Sequence, residues 1–354
     1  MSVLSYLIVG SGYRSEYYAR IAKTYPEYFR AMFLCRSEEK AAYIAAKTGV
    51  PATTSDKECD KFNADFVVVA VNKESVADVA GQWIARGYPV LLETPAGATK
   101  ESLSRLWELY KVKGARVNVC EQYHRYPALI PTLKAVKSGR IGTPTSAYIS
   151  LVHDYHAASL LKKALLVEGE AFTIRGERTI SPVVETDSRT GAIFDGRTAD
   201  KARDVAIVDY LSGKRAVYDF SGVQYRSFIR ARHFIVRGER GEISDNILYG
   251  LDQDNRPIRD FMMPVVPKKY ASLDTQTLRD IRKVWRPELF LDTAQDEFAI
   301  ATVLYDMKEY LDGGSPAYSL KEGLEDAYFW LLLEESVSSP FKEVASEKMP
   351  WDEQ

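Results

Sequence analysis

The stretch SYLIVGSGYRSEYYARIA, Ser5 to Ala22, decides how the chain folds. An apolar, β-rich run ends at Gly10, and Tyr17, Ile21 and Tyr25 then recur at helical spacing, so a strand turns directly into a helix. In that setting Gly10 permits the tight turn, and Gly12 lets backbone N–H groups approach a pyrophosphate whose charge the helix N-terminus stabilises. Tyr13 and Arg14 carry the loop into the helix and are expected, with Gly10 and Gly12, to bind the cofactor, and Ser15 stands where the usual third glycine would be. Helix and strand must therefore accommodate a small side chain there. A glycine turn that merely closes a βα unit is the alternative reading of so short a motif.

Working outward, the same alternation continues for about 120 residues. FRAMFLC, ADFVVVAV and YPVLLE read as strands; EEKAAYIAAKTG and VADVAGQWIARG read as helices between them. Near-continuous apolar strands without polar alternation imply a parallel sheet covered on both faces, the doubly wound α/β arrangement. After Gly139 the pieces TPTSAYISLVH, AFTIRG, DVAIVDYLSG, KRAVYDFSG and RHFIVRG are strand-like, with one helix expected between them at HAASLLKKALL. A hairpin is expected at Ser212-Gly213. This predicts an α+β second domain, with the division at 1–122 and 123–354. Two helices close the chain, one with a stripe of Phe298, Ala301, Leu304 and Leu311, the other with Leu320, Leu324, Ala327, Tyr328 and Leu331 behind a capping box at Ser319 and Glu322. The segment LDQDNRPIRDFMMPVVPKKYASLDTQT, interrupted by prolines, reads as a long loop, either a subunit contact or an excursion over the site.

Charge and composition narrow the partners. Lys+Arg total 47 against Asp+Glu 49, so no broad field exists to hold nucleic acid or an anionic membrane. No long uncharged apolar run marks a secretion signal or a membrane span, and the expected compartment is the cytoplasm. Cys35, Cys59 and Cys120 lie at spacings that fit neither a metal knuckle nor a thiol pair, so no metal site is expected. At the end of the second strand, where an acid would accept from the ribose hydroxyls of NAD, the chain has Cys35, Arg36 and Ser37. Arginine and serine suit a 2′-phosphate, so NADP is favoured over NAD as the cofactor. A solvated arginine ahead of a helix is the alternative.

With LLETPAGATKESLSRLWELY, RVNVCEQYHRYPALIPTLKAVKSGRIGT and the late GGSPAYSLKEGLEDAYF, the sequence resembles the glucose-fructose oxidoreductase / inositol dehydrogenase (Gfo/Idh/MocA) family of NAD(P)-dependent sugar and cyclitol oxidoreductases. The resemblance covers nearly the whole chain. It implies a Rossmann domain followed by an α+β domain whose large, mostly antiparallel sheet forms a homodimer or homotetramer interface. It also implies Glu-Lys-Pro at the strand end that here reads Glu93-Thr94-Pro95. Glu93 and Pro95 match and belong with the cofactor-binding set; Thr94 takes the place of a lysine expected near the reacting carbon and is left as a substrate contact. Threonine has neither the charge nor a pKa usable near neutrality.

The family's second catalytic segment, Asp-x-Gly-x-His-x-x-Asp, corresponds to VHDYHAAS. His156 falls on the histidine, while Val152, Asp154 and Ser159 replace the first acid, the glycine and the last acid. His156 is therefore the first candidate for proton transfer, with Tyr155 and His153 as partners. Tyr123, His124 and Arg125, in the crossover EQYHRYPA, are candidates to line the substrate side. Arg226, Arg230, Arg232 and His233 form either an anion-facing patch or a solvated strand face.

The expected function is hydride transfer between a nicotinamide cofactor and a sugar, cyclitol or related polyhydroxylated small molecule. Two alternatives stay open: a dinucleotide or metabolite binder without turnover, and an isomerase, lyase or glycosidase that retains NAD(P) with no net redox change.

Overall fold

The apolar run Leu4–Val9 (β1) is buried along nearly its whole length, as a strand covered on both faces must be. Residues 3–188, 191–284, 292–340 and 342–353 are described in this computed structural model. From β1 the chain alternates through α1 (Ser15–Thr24), β2 (Phe29–Leu34), α2 (Glu38–Thr48), β3 (Ala52–Thr53), α3 (Asp56–Phe62), β4 (Phe66–Val69), α4 (Val76–Ala85), β5 (Val90–Leu92), α5 (Lys100–Lys113) and β6 (Val117–Val119). These six strands form one parallel sheet in the order β3–β2–β1–β4–β5–β6. The strand order reverses between β1 and β4, and a doubly wound sheet binds its ligand in the crevice at that point, beyond the carboxyl ends of its strands. Sequence reasoning did not anticipate β3 or α3; two residues are too few to show a period.

A crossover helix α6 (Ile130–Lys137) leads into the second sheet. Its elements are β7 (Pro144–Ser150), α7 (Asp154–Leu165), β8 (Phe172–Val184), the small pair β9 (Asp187–Ser188) and β10 (Gly191–Ala192), β11 (Thr198–Tyr210), β12 (Arg215–Phe220), β13 (His233–Gly238), β14 (Gly241–Ser244), β15 (Ile247–Leu251) and β16 (Pro257–Phe261). Three helices follow, α8 (Gln276–Lys283), α9 (Thr293–Leu311) and α10 (Leu320–Ser338), with β17 (Val344–Ala345) last. Nine strands pair in the order β16–β15–β14–β13–β7–β12–β11–β8–β17, antiparallel except for β7 with β12. The β11–β12 hairpin turns at Gly213, which has φ +83°. The Ser319–Glu322 capping box opens α10 as read from the sequence.

Two expectations need correction. The proline-interrupted segment is not a plain loop: Leu251 closes β15, and Pro257 starts β16, the outermost strand, where the missing N–H of proline is harmless. The arginines after Tyr225 are not a strand face, because Gly222–Arg226 is a 3₁₀ turn and β13 begins only at His233. Arg232 bonds to the carbonyls of Gln224 and Tyr225, and His233 pairs with Asp245.

Packing joins early and late parts of the chain. Tyr6, Ile8, Phe33, Phe66 and Val68 share a core with Leu278 of α8 and with Phe298, Ile300 and Leu304 of α9. Burying a ring such as that of Phe298 contributes roughly 1.5–3 kcal/mol, so the late helices are fixed firmly on the parallel sheet. On the other face, Leu7, Val67, Val69 and Leu92 join a core that runs on into α7, α10 and the second sheet. Both layers thus hold the strand ends rigid. No described helix is long and apolar enough to cross a membrane.

Candidate active site

The carboxyl ends of β1, β4, β5 and β6 each deliver a residue of chemical interest: Gly10, Lys73, Glu93 and Glu121. Gly10 has φ +125°, and a Cβ there would lie 2.1 Å from the carbonyl oxygen of Ala70, so only glycine fits between the first and fourth strands. Gly12 differs. A Cβ on it would meet nothing within 4 Å, so its backbone faces open space. Helix α1 begins with no side-chain cap, and Ser15 turns its hydroxyl inward to the carbonyl of Gly12 at 2.6 Å. An open glycine ahead of an uncapped helix N-terminus suits the pyrophosphate of a dinucleotide. Tyr13 is half-exposed beside this loop, its ring edge-on to Tyr17.

Arg14 is committed elsewhere. Its Nε bonds to Glu93 Oε1 at 2.9 Å and its Nη1 to Asp296 Oδ2 of α9 at 3.0 Å. Glu93 also accepts from the Tyr18 hydroxyl and, through Oε2, from the Thr94 amide at 3.2 Å. These bonds hold the turn that contains the cis peptide Thr94-Pro95. Thr94 itself is half-buried, and its hydroxyl makes no hydrogen bond among the described residues. At the end of β2, Ser37 caps α2 by accepting from the Lys40 amide, while the exposed Arg36 has no partner among the described residues.

The centre of the site is a pair that sequence reasoning missed. Glu121 Oε2 lies 2.6 Å from His156 Nδ1, and Glu121 Oε1 accepts the Tyr123 amide at 3.1 Å. Both side chains are buried. Burial, the largest influence, raises the Glu121 carboxyl to about 8, against the opposing pull of the Tyr123 N–H and the Ser159 hydroxyl. Burial, followed by the positive charge of Arg14, lowers His156 to about 3. An imidazolium–carboxylate pair would set two charges where neither meets water, so the pair is held neutral. His156 Nε2 has no partner among the described residues and is the end left for a substrate.

The lost acids of the VHDYHAAS segment thus have a replacement from another element. Ser159, in the place of the last acid, is fully buried and donates to the His156 carbonyl at 2.9 Å. One clue was available in the sequence: Glu121 directly follows the buried strand VNVC, and an acid in that place is either paired or functional.

His153 supports the pair from the side. Its Nδ1 contacts the Tyr225 hydroxyl and its Nε2 contacts the Tyr155 hydroxyl at 3.1 Å, so both nitrogens are occupied. Burial and the neighbouring His156 keep it neutral. Tyr155, half-buried, and Tyr123, buried, both press their rings to His156 with centroids 4.5 Å away. Asp154 holds φ +45°, at the position where the family resemblance puts glycine, with its carboxylate oxygen 3.2 Å from the Tyr218 hydroxyl. Burial raises its carboxyl to about 6.

Two sequence candidates point away from this centre. Arg125 Nη1 reaches Asp306 at 2.9 Å, Thr302 at 3.1 Å and Tyr270 at 3.3 Å, all outside the pair. His124 packs against Tyr318, and burial together with Arg125 and Lys163 holds it neutral. Among the described residues no His, Cys, Asp or Glu cluster is arranged for a metal, and the three cysteines are buried and unpaired.

The family described as "Oxidoreductase family, NAD-binding Rossmann fold" matches residues 4–121. An uncharacterized oxidoreductase, YhhX, of Escherichia coli K12 is 24% identical over 211 residues, which cover 57% of this chain and 58% of that protein's length. Solved structures extend the likeness to nearly the whole chain. A levoglucosan dehydrogenase in complex with NADH and levoglucosan superposes with a TM-score of 0.71 at 18% identity, over 98% of this chain and 100% of its own. An NAD-binding oxidoreductase from Klebsiella pneumoniae gives 0.69 at 16%, over 98% and 100%. An oxidoreductase from Agrobacterium radiobacter in complex with NAD+, L-tartaric acid and magnesium gives 0.69 at 12%, over 97% and 98%. At these identities the likeness is one of fold.

Proposed function

We propose, from the family match over residues 4–121, that the chain is a Gfo/Idh/MocA-type, NAD(P)-dependent oxidoreductase that interconverts an alcohol and a carbonyl on a polyhydroxylated small molecule. The observation that carries this reading is the buried Glu121–His156 pair, with His156 Nε2 left open at the carboxyl ends of the parallel strands. Fold neighbours bound to levoglucosan or L-tartaric acid together with NADH or NAD+ support the substrate class. The dinucleotide, when bound, supplies the hydride donor or acceptor. Gly12 and the N-terminus of α1 would hold its pyrophosphate, and Arg36, without a partner among the described residues, favours NADP through the 2′-phosphate.

The chain's own part is proton transfer. With Glu121 protonated, its O–H donates to Nδ1, so the imidazole carries its hydrogen on Nε2. When a carbonyl is reduced, Nε2 gives that proton to the nascent alkoxide while the Glu121 proton moves to Nδ1. The imidazole stays neutral and a carboxylate remains. Oxidation runs the same exchange backwards: Nε2 takes the hydroxyl proton and Nδ1 returns its own to Glu121. Near neutral pH the pair rests in its proton-donating form, so reduction is the favoured direction. A binder that has lost its proton-transfer set lacks support while this pair stands intact.

Binding of NADPH and NADH, followed by nucleotide fluorescence, tests the platform, and a panel of ketoses, inososes and sugar acids tests turnover. His156→Gln should retain nucleotide binding and lose roughly 10²–10⁴-fold in kcat. Undiminished turnover in that variant overturns the assignment. Arg36→Ala should weaken NADPH and leave NADH unchanged. We extend the reading to the cytoplasm, which suits three buried free cysteines. We extend it also to a homodimer or homotetramer, because Ile180, Ile207 and Phe228 stand exposed on or beside the large sheet; light scattering gives the mass.

A further inference from the structure

Lys73 lies in the segment that follows β4 and is exposed. Its ammonium lies 4.5 Å from the centroid of the Trp330 ring of α10, and it makes no hydrogen bond or ion pair among the described residues. Trp330 in turn lies edge-on to Tyr155, with centroids 6.1 Å apart, and the Tyr155 hydroxyl meets His153. The lysine therefore reaches from the nucleotide-binding domain across to the second domain, beside the aromatic rings that lead through Tyr155 to His156. Its field is felt at both His153 and Asp154.

The site's other cation is already committed. Arg14 is shared between Glu93 and Asp296, and Asp296 also accepts from Gln122 and Tyr126. Glu121 is held neutral by burial. Asp154 is bound by Tyr218 and forms no ion pair with Lys73. Lys73 is thus the cation that no carboxylate takes up among the described residues, backed by an aromatic face that pins a cation without neutralising it. Thr94 brings no charge to the same crevice.

Resting on the oxidoreductase reading above, we propose that Lys73 binds an anionic group of the substrate, so that the enzyme's substrates are hydroxylated carboxylic acids of the sugar-acid type. A single ammonium matches the single charge of a carboxylate, whereas a phosphate monoester carries close to two. The lysine acts as a specificity-determining residue, and the alcohol's proton still passes through His156.

The experiment uses the full chain saturated with NADPH or NADP+, after nucleotide binding has been measured separately. Titration calorimetry and steady-state kinetics then compare gluconate and galactonate with their uncharged counterparts glucitol and galactitol, and with glucose 6-phosphate. The wild type should bind or turn over at least one of the acids about tenfold or more better than its neutral counterpart, and 0.5 M salt should shrink that ratio. Lys73→Met should bring acid and neutral compound level by raising KM or Kd for the acid, with nucleotide affinity unchanged; Lys73→Arg should retain most of the preference. A wild type without acid preference, a stronger preference for the phosphate, or a Lys73→Met variant that keeps the wild-type ratio each overturns the proposal. So does a Lys73→Met variant whose main loss is nucleotide affinity. Failure of the wild type to bind either nucleotide would instead sink the oxidoreductase reading, which keeps the two failures distinct.

Discussion

Replacing Glu121 by glutamine reproduces the shape and hydrogen bonds of the protonated acid while removing its titration. The amide oxygen accepts from the Tyr123 N–H as Oε1 now does, and the amide nitrogen donates to His156 Nδ1 across the present 2.6 Å contact. Glu121 is fully buried and its folded carboxyl stands at about 8, against an ordinary value of about 4.5. A raised folded pKa means the folded state holds a proton that the unfolded chain has released. The stabilisation is complete below pH 4.5 and is lost as pH rises towards 8. Between pH 6 and pH 8 the wild type should lose about 2 kcal/mol on this account, and Glu121→Gln should lose none of it. Asp154, raised to about 6, titrates in the same window in both proteins and cancels in the difference; Asp326, raised by burial to about 7, is held up partly by the Glu121 charge, and that part belongs to the Glu121 effect being measured. Urea unfolding of both proteins at pH 6 and pH 8 gives the four free energies needed. Infrared spectra at pH 7 should also show a protonated carboxyl band in the wild type that the variant lacks. The variant holds its Nε2 hydrogen but has no proton to follow it, so kcat should fall roughly 10²-fold. Equal pH dependence in the two proteins, to within about 0.5 kcal/mol, refutes the neutral pair and the relay built on it.

Gly12→Ala should leave stability within about 0.5 kcal/mol of wild type, since its Cβ would meet nothing within 4 Å, yet weaken nucleotide binding at least tenfold; calorimetry and fluorescence separate the two effects. Gly10→Ala should instead cost on the order of 4 kcal/mol, because its Cβ would fall 2.1 Å from the Ala70 oxygen at φ +125°. Arg125→Leu breaks the 2.9 Å pair with Asp306, both partners being largely buried, and should destabilise by about 3 kcal/mol in urea with KM unchanged; a raised KM at unaltered stability would return Arg125 to the substrate side. Ser159→Asp, which restores the acid of the family segment, should destabilise by roughly 3 kcal/mol, because a second carboxyl would enter the closed space beside Glu121. The deficit should widen from pH 6 to pH 8.

What could be read from the sequence was what sits close together in it. Gly10 and Gly12 lie between a strand and a helix whose periods change within ten residues, and the Ser319–Glu322 cap closes over three. Glu121 and His156 are 35 residues apart, one just beyond β6 and the other on α7, and only the packing of the later chain against the strand ends brings them together. Arg125 is likewise claimed by Asp306, 181 residues away, through the return of α9 to the first sheet. Local pattern holds no record of either meeting. β16 escaped notice for a different reason: its proline and its charged residues belong to an outermost strand, whose exposed edge tolerates both.

The departures from the family pattern at Thr94, Val152 and Ser159 looked, residue by residue, like the loss of an active site. The geometry argues for relocation. In a parallel sheet the carboxyl ends of neighbouring strands open on one crevice, so a group lost from the end of one strand can be supplied from the end of the next. Glu121, at the end of β6, gives His156 the carboxyl partner that α7 lacks, and Lys73, beyond β4, is the cation proposed for the crevice that Thr94 leaves uncharged. The exchange changes the chemistry as well as the address. A carboxyl partner exposed to water stays ionised and makes its histidine a stronger base; one buried as deeply as Glu121 keeps its proton to about pH 8 and makes the histidine a donor. On the proposed mechanism, an acid supplied from the end of β6 therefore speeds carbonyl reduction at neutral pH and alcohol oxidation in alkaline conditions.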